Sequence, residues 1–298
     1  MKILDIVIIT YNRAQLCLDQ VSRVSKSLDG HPLLRRLCNV YVLDNASSQD
    51  YSLVMQLCKA EHFEYLRYPV NVASVGNQCR AALTGSSRYS WVLSDDDIIL
   101  PACIAHLLLS LQRCPIVDLI LFNDSVCSFF RYGTINDLLR LARTNDPIAI
   151  SANTLISSLI FNKRLFDPIL FWRHELGWFP LSSSVITTSI RYNRLAMVLS
   201  FNKYIQTSLN TQQERAANIK TDADCAEAKL DKQFQYSILQ FLNFLYSCCQ
   251  QPTLSDDEYI ASVMKKFRAD PLSIYRGMTP YEKTLIVDPY DHASPNYE

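Results

Sequence analysis

Residues 3–13 read ILDIVIITYNR, and this stretch decides the fold. From Ile3 to Thr10 it is a nearly unbroken run of Ile, Leu and Val around a single acid, Asp5. That is the composition of a strand buried on both faces of a parallel sheet, not of an alternating, half-solvated one. The run stops at Thr10, Tyr11, Asn12 and Arg13, four side chains able to hydrogen-bond. Residues 14–28 then carry helical periodicity. The same unit recurs downstream: Val40–Leu43 is a short apolar strand ending at Asp44, and Asp50–Ala60 reads as a helix. Phe63–Tyr68 is a third strand closed by Pro69, with a helix over 75–84 closed by Gly85. Tyr89–Leu93 is a fourth strand running into Ser94, Asp95, Asp96 and Asp97.

Strands alternating with helices at this spacing predict an α/β architecture: a Rossmann-like, doubly wound, mostly parallel sheet flanked by helices. In such sheets ligands bind outside the carboxyl ends of the strands. Thr10–Arg13, Asp44–Ser47 and Ser94–Asp97 all follow strands, so three polar clusters distant in sequence are expected to share one crevice. Pro101–Arg113 reads as a helix and Ile116–Phe122 as a further strand. Beyond that the pattern weakens. Asn153–Phe161 fits strand or loop, Trp172–Ser184 reads as an aromatic-rich loop, and 185–207 has no clear period. From Ala223 onward the chain is helical again, over Leu230–Cys248 and Ser255–Phe267, as a C-terminal extension with a polar tail.

With 298 residues, 49% hydrophobic and 19% charged, the chain can bury a substantial core. Lys plus Arg equals Asp plus Glu at 29 each, which removes the broad positive field of a protein that binds nucleic acid through its phosphates, so no nucleic-acid partner is expected. The ten cysteines show neither a C-x-x-C pair nor zinc-ligand spacing, and are expected to be reduced and mostly buried. The start is too short for a signal-peptide core, and the apolar stretch Ile98–Leu111 falls short of the ~20 residues that span a bilayer. The expected location is the cytoplasm, or the inner face of the cytoplasmic membrane by peripheral contact.

Three consecutive carboxylates after an apolar strand repel one another and are costly beside a buried crevice unless a cation compensates. Carboxylate oxygens suit Mg2+ or Mn2+, which commonly keep one or two protein carboxylates and complete their shell with phosphate and water. Taken alone, Asp95–Asp97 reads equally as a solvated strand-to-helix turn.

The ordered set Thr10-Tyr11-Asn12-Arg13, Asp44-Asn45-Ala46-Ser47-Ser48-Gln49-Asp50, Asn71–Asn77 and Ser94-Asp95-Asp96-Asp97 with Pro101 resembles glycosyltransferase family 2 of the GT-A fold, over roughly residues 3–125. The resemblance implies that Thr10, Tyr11 and Arg13 line a nucleotide pocket and that Asp44 accepts a hydrogen bond from the base, uracil in many relatives. It also implies that Asn77 lies near the sugar nucleotide and Asp95 against ribose or diphosphate. Anchoring on Pro101 makes Asp96 the main metal ligand, with Asp97 beside it; Ser94 stands where the family commonly has an earlier acid, and Val72, Ser74 and Val75 replace small residues. On this reading residues 1–125 are the nucleotide-sugar half, 126–215 the acceptor half and 216–298 the helical extension.

The implied reaction moves a sugar from a nucleoside diphosphate, such as a UDP-sugar, to an acceptor hydroxyl with inversion, assisted by Mn2+ or Mg2+. The acceptor would be a glycan or a lipid-linked saccharide, in assembly of a bacterial surface polysaccharide such as capsule or lipopolysaccharide. The general base is sought in the second half: Glu175 first, in WRHELGW (172–178), then His174, then Asp167. Trp172, Trp178 and Phe179 suit either stacking on an acceptor sugar or the core. The late helix, apolar around much of its surface from Tyr236 to Tyr246, is expected to be buried on the main body or in a homodimer, with a shallow membrane contact as the alternative. Two other functions fit parts of the pattern. One is a metal-dependent phosphotransferase or phosphatase with Asp44 as nucleophile; the other is a non-catalytic glycan- or nucleotide-binding module.

Overall fold

The opening apolar run forms strand β1 (Leu4–Thr10), in which every residue is buried. The computed structural model describes residues 2–29, 32–173, 179–201, 204–207 and 224–269. β1 lies near the middle of an eight-stranded sheet with β2 (Cys38–Asp44), β3 (Glu64–Arg67), β4 (Tyr89–Ser94), β6 (Leu119–Phe122), β7 (Tyr132–Thr134), β8 (Leu159–Asn162) and β9 (Leu195–Leu199). The order is β3-β2-β1-β4-β8-β6-β9-β7; β7 and β8 pair antiparallel to their neighbours, and the other pairings are parallel. β5 (Asp97–Ile99) and β10 (Ile205–Thr207) form a separate two-stranded ribbon.

Alternation along β1 sends Val7 and Ile9 into one core and Leu4, Ile6 and Ile8 into the other. Helices α1 (Ala14–Asp29), α3 (Ser52–Ala60) and α5 (Cys103–Arg113) pack on the second face, behind the single turn α2 (Pro32–Arg35). The first face carries α4 (Ala73–Leu83), the turn α6 (Asp124–Cys127), α7 (Ile135–Asn145), the short α8 (Pro168–Arg173), α9 (Pro180–Arg191) and the later helices α10 (Asp224–Cys248) and α11 (Asp256–Ala269). In the second half of α10 Leu239, Phe241, Leu242, Leu245 and Tyr246 are buried in this core while Tyr236 stays exposed, and Phe241 stacks edge-on to Phe179 at 5.8 Å. Among the described residues no helix is long and apolar enough to cross a membrane. The described cysteines are free thiols.

Departures from the sequence reading cluster after residue 95. The helix expected from Pro101 begins at Cys103, because Asp97–Ile99 is drawn into β5 by Ile205–Thr207. Asn153–Phe161 resolves into two 3-10 turns, Ala149–Thr154 and Ile156–Ser158, and then strand β8, inserted antiparallel between β4 and β6. The loop expected through Ser184 is overturned from Pro180 on: α9 is a helix whose residues Pro180–Ile190 are all buried. Its Ser/Thr-rich sequence has modest helix propensity. Small side chains nonetheless let the helix be enclosed against α4, α7, α8 and α10, and three of the hydroxyls find backbone acceptors: Ser182 donates to Asn153 O (2.8 Å), Ser184 to Asp167 O (2.9 Å) and Ser189 to Val185 O (2.7 Å), whereas the buried Thr187 and Thr188 hydroxyls have no hydrogen-bond partner. The polar tail lies outside the described residues.

Asp5, the one acid in β1, sits at the opposite end of the sheet from the crevice. It is fully buried and accepts from Lys163 Nζ (2.6 Å), Ser87 N (2.8 Å), Ser87 Oγ (2.6 Å) and Asn39 Nδ2 (2.8 Å). Burial by itself raises its pKa, but Lys163, Ser87 and Asn39 outweigh that and hold it below the usual value. Gly85, at φ +77°, closes this corner: a Cβ there would collide with the Asp5 carboxylate and come within 2.9 Å of Tyr41 Cε2. Gly85→Ala is therefore expected to lower stability by about 2–4 kcal/mol, read as a shifted urea midpoint, while an alanine at the exposed Ser86 leaves the midpoint within about 0.5 kcal/mol.

Candidate active site

Strand register assembles the site. β1 pairs with β2 so that Thr10 faces Asp44, and with β4 so that Ile9 faces Ser94; three strands thus end on one edge. The loops leaving β1, β2 and the neighbouring β3 turn sharply, with Asn12 (φ 52°), Ala46 (φ 64°) and Ala73 (φ 59°) in the left-handed region. The first two loops are stitched together: Asn12 N donates to Ser47 Oγ (2.8 Å), and Ser48 N donates to Asn12 Oδ1 (2.7 Å).

Thr10 Oγ1 donates to Asp95 Oδ2 at 2.7 Å and lies 2.8 Å from the Tyr51 hydroxyl, which accepts from Arg13 N at 3.1 Å. One guanidinium nitrogen of Arg13 bridges Asp95 Oδ1 and Asp96 Oδ2, each at 3.1 Å. Ser94 Oγ donates to Asp96 Oδ1. Asp95 and Asp97 are buried, whereas the Asp96 side chain is 17% exposed. Burial is the main cause that pushes the Asp95 carboxyl up to about 6; Asp96 adds to it, and Thr10 and Arg13 oppose it. Asp97 is likewise pushed up to about 6, by burial and then by its two acidic neighbours, against a hydrogen bond with Ser157. Arg13 moves the other way: burial lowers its pKa, but Asp95 and Asp96 outweigh it and raise the net value.

The neighbouring corner is built on Asp44, which is completely buried. Its Oδ1 accepts from Ser47 N (2.8 Å) and its Oδ2 from the Tyr65 hydroxyl (2.6 Å), with Arg67 Nε 3.7 Å from Oδ2. Arg67 also donates to Ser47 O at 2.6 Å and is itself largely exposed. Tyr65 is raised by burial and by Asp44, so its hydroxyl stays a donor. Tyr11 is 44% exposed on the rim. Asn45 fixes the third loop through Asn71 Oδ1 (2.7 Å) and Val72 N (3.1 Å). Asn77 is buried on α4, and its Oδ1 has no hydrogen-bond partner.

Asp95 thus contacts both Thr10 and Arg13, Arg13 joins it to Asp96, and Asp44 lies at the next strand end. Glu175 and His174 lie outside the described residues, as does Trp178. Asp167 caps α8, its Oδ1 accepting from Ile169 N (2.8 Å) and Leu170 N (3.2 Å). Phe179 is core, and Trp172 is half-exposed against Phe171. Sequence reasoning missed Tyr51, Tyr65, Arg67 and Ser157. Tyr65 and Arg67 alternate on the short strand β3 up to its carboxyl end, a signal that was present; Ser157 reaches the site only because β8 inserts beside β4, bringing its Oγ to accept from Ser94 N at 3.0 Å.

Among the described residues no group of three or more His, Cys, Asp or Glu side chains forms a ready metal cage. The donor set matches the sparser habit of Mg2+ and Mn2+, in which one or two carboxylates suffice and phosphate oxygens complete the shell. Asp96 is the most open of the three acids, and Arg13 bridges it to Asp95. A nucleophilic Asp44 fits poorly, since that carboxylate is enclosed and both its oxygens are engaged.

No protein-family model matches the chain, and no curated protein matches it by sequence. Solved structures do match along nearly its whole length. Residues 1–349 of S. aureus TarS in complex with UDP-GlcNAc align with a TM-score of 0.53 at 12% identity, covering 96% of this chain and 92% of that one. The mannosyltransferase PcManGT from Pyrobaculum calidifontis, in complex with GDP-Man and Mn2+, aligns with a TM-score of 0.50 at 15% identity, covering 95% and 84%. The mixed, mostly parallel sheet flanked by helices is thus the GT-A-like fold of solved glycosyltransferases.

The buried acids make a stability prediction. A carboxyl whose pKa is higher in the folded than in the unfolded state favours folding fully below about pH 4, and this contribution is lost as pH rises through about 6. Asp97→Asn is therefore expected to raise stability by on the order of 1–3 kcal/mol at about pH 8 in chelator-treated buffer, with the gain vanishing near pH 4. A pH-independent difference between the two melting curves contradicts a buried, ionised Asp97.

Proposed function

We propose that the chain is an inverting glycosyltransferase that moves a sugar from a nucleoside diphosphate to an acceptor hydroxyl, with Mn2+ or Mg2+ at Asp96 and Asp97. The observation that carries this reading is the contact of Thr10, Arg13, Asp95 and Asp96 at the carboxyl ends of β1 and β4. It is supported by the GT-A-like fold, and by the nucleotide sugars held in two proteins of that fold.

In this reading the nucleoside lies over the ends of β1, β2 and β3. Tyr11 offers a ring face to the base, and Arg67 offers donors to its carbonyl oxygens. Asp44 reads a base N–H when the Tyr65 hydroxyl turns aside, and otherwise holds Tyr65 and Arg67 in place. Asp95, tied to Thr10, faces the ribose or diphosphate, and Arg13 turns its outer guanidinium edge to the diphosphate oxygens. A bound divalent cation would supply Lewis-acid stabilisation of the departing diphosphate. Asn77, with a buried amide oxygen lacking a partner, stands in the second turn of α4 and faces the sugar. The acceptor proton goes to Glu175, with His174 as second choice, and inversion requires this base opposite the leaving group. Glycan or lipid-linked saccharide acceptors of surface-polysaccharide assembly fit this chemistry, and the donors to try first are UDP- and GDP-sugars.

Two experiments test the proposal. UDP-GlcNAc and GDP-Man are incubated with the enzyme in Mn2+, and free nucleoside diphosphate is followed over time. Release from at least one donor is expected, abolished by a chelator and reduced at least about a hundredfold in Asp96→Ala. No release from any nucleotide sugar in a wider panel, with or without a cation, contradicts the assignment. Arg67→Ala is expected to raise KM for the donor about tenfold with kcat little changed, as loss of a uniform binding contact requires. A fall in kcat alone places Arg67 elsewhere in the mechanism.

A further inference from the structure

The amino-terminal edge of the sheet holds a second concentration of charge, built around Asp118 just ahead of β6. This carboxylate is almost completely buried, and Arg164 NH2 reaches both its oxygens, at 2.6 and 2.7 Å. Asn162 Nδ2 adds a third donor at 2.9 Å. With those bonds the acid is well satisfied. Two more guanidinium groups nevertheless converge on it: Arg88 NH2 is 3.9 Å from Oδ1, and Arg194 Nε is 3.9 Å from Oδ2. Both separations exceed hydrogen-bond length. The Arg194 Nε is buried without a hydrogen-bond partner.

Beside these long ion pairs with Asp118, each outer arginine lies over an aromatic ring. Arg88 lies over Tyr89 at 5.0 Å and Arg194 over Tyr192 at 5.4 Å. Three guanidinium groups thus surround one carboxylate, and among the described residues no second acid pairs with them. The cluster carries a net charge of about +2, with outward donors in the fork geometry that suits tetrahedral oxyanions. Like charges held this close repel unless an anion joins them. The site lies one strand length from the donor crevice, roughly 17 Å along β4, so a ligand there is not the donor's own diphosphate.

We propose that Arg88, Arg194 and the outer edge of Arg164 form a binding site for a phosphate-class oxyanion, separate from the nucleotide crevice. The anion accepts from the uncommitted donors of Arg88 and Arg194, and Asp118 holds Arg164 in register from behind. Two sources offer this chemistry: a free phosphate or pyrophosphate, and the phosphodiester headgroup of an anionic lipid. The inference does not depend on the glycosyltransferase assignment.

The test uses the full chain in chelator-treated buffer at constant ionic strength. Sodium pyrophosphate is titrated calorimetrically into wild type, Arg88→Gln/Arg194→Gln, Arg13→Gln and a surface control, Arg140→Gln. In parallel the proteins are sedimented with phosphatidylglycerol or phosphatidylcholine vesicles. Loss of either outer guanidinium is expected to weaken binding roughly tenfold, and the double variant more, while Arg140→Gln binds as wild type does and Arg13→Gln removes only the share of pyrophosphate that enters the donor crevice. Pyrophosphate binding alone assigns the site to a soluble anion; cosedimentation with phosphatidylglycerol only, lost in the double variant, assigns it to a headgroup. The single variant Arg88→Gln serves if the double variant fails to fold. Binding that survives in the Arg88 and Arg194 variants, binding lost in Arg13→Gln instead, or no binding to either probe overturns the proposal.

Discussion

The structure turns on an imbalance of charge at the carboxyl ends of β1 and β4. Three acids follow one another there, two of them buried, and the half-exposed Arg13 guanidinium bridges Asp95 and Asp96. Burial of Asp95 and Asp97 opposes their ionisation, so the fold holds these carboxylates at a cost that repulsion increases. A stability-optimised turn would have placed neutral side chains there. Destabilised polar groups retained in a crevice are the common signature of a site selected for chemistry, with the compensating interactions supplied elsewhere.

The compensation is visible. The parallel register of β1 with β2 and β4 is set by two apolar faces that interleave without a break, and that register carries Thr10, Asp44 and Ser94 to one edge. Small residues in left-handed conformations, or an Asn that tolerates them, then turn the loops so that Thr10 and Arg13 reach Asp95 across the strand gap. At the other edge the buried Asp5 is fully satisfied by Lys163, Ser87 and Asn39, which ties the first strand to the chain after β8. One end of the sheet carries the satisfied Asp5 and the arginines around Asp118, and the other carries the three consecutive acids.

Much of this was legible from sequence because it is local. Unbroken apolar runs ending in polar residues gave the first four strands, and a rule about strand ends brought Thr10, Asp44 and Asp95–Asp97 together. What was not legible depends on distant pairing. β5 is a strand only because Ile205–Thr207 comes back to it, and β8 is recognised only by its place between β4 and β6. Helix α9 hid behind a Ser/Thr-rich sequence whose propensity is overridden by enclosure in the core. Arg67 and Tyr65 escaped notice because strand alternation was read for burial and not for what stands beside Asp44. The arginines around Asp118 come from three separated segments, which no spacing in the sequence announces.

The proposal that a cation and a diphosphate together complete the acidic edge at Asp95–Asp97 is addressed most directly by calorimetric titration of UDP and GDP into the protein, once with a chelator and once with Mn2+. The account predicts one site per chain for at least one of the two nucleotides, with Mn2+ strengthening binding at least about tenfold. Absence of binding by both nucleotides, or an affinity indifferent to the cation, contradicts it.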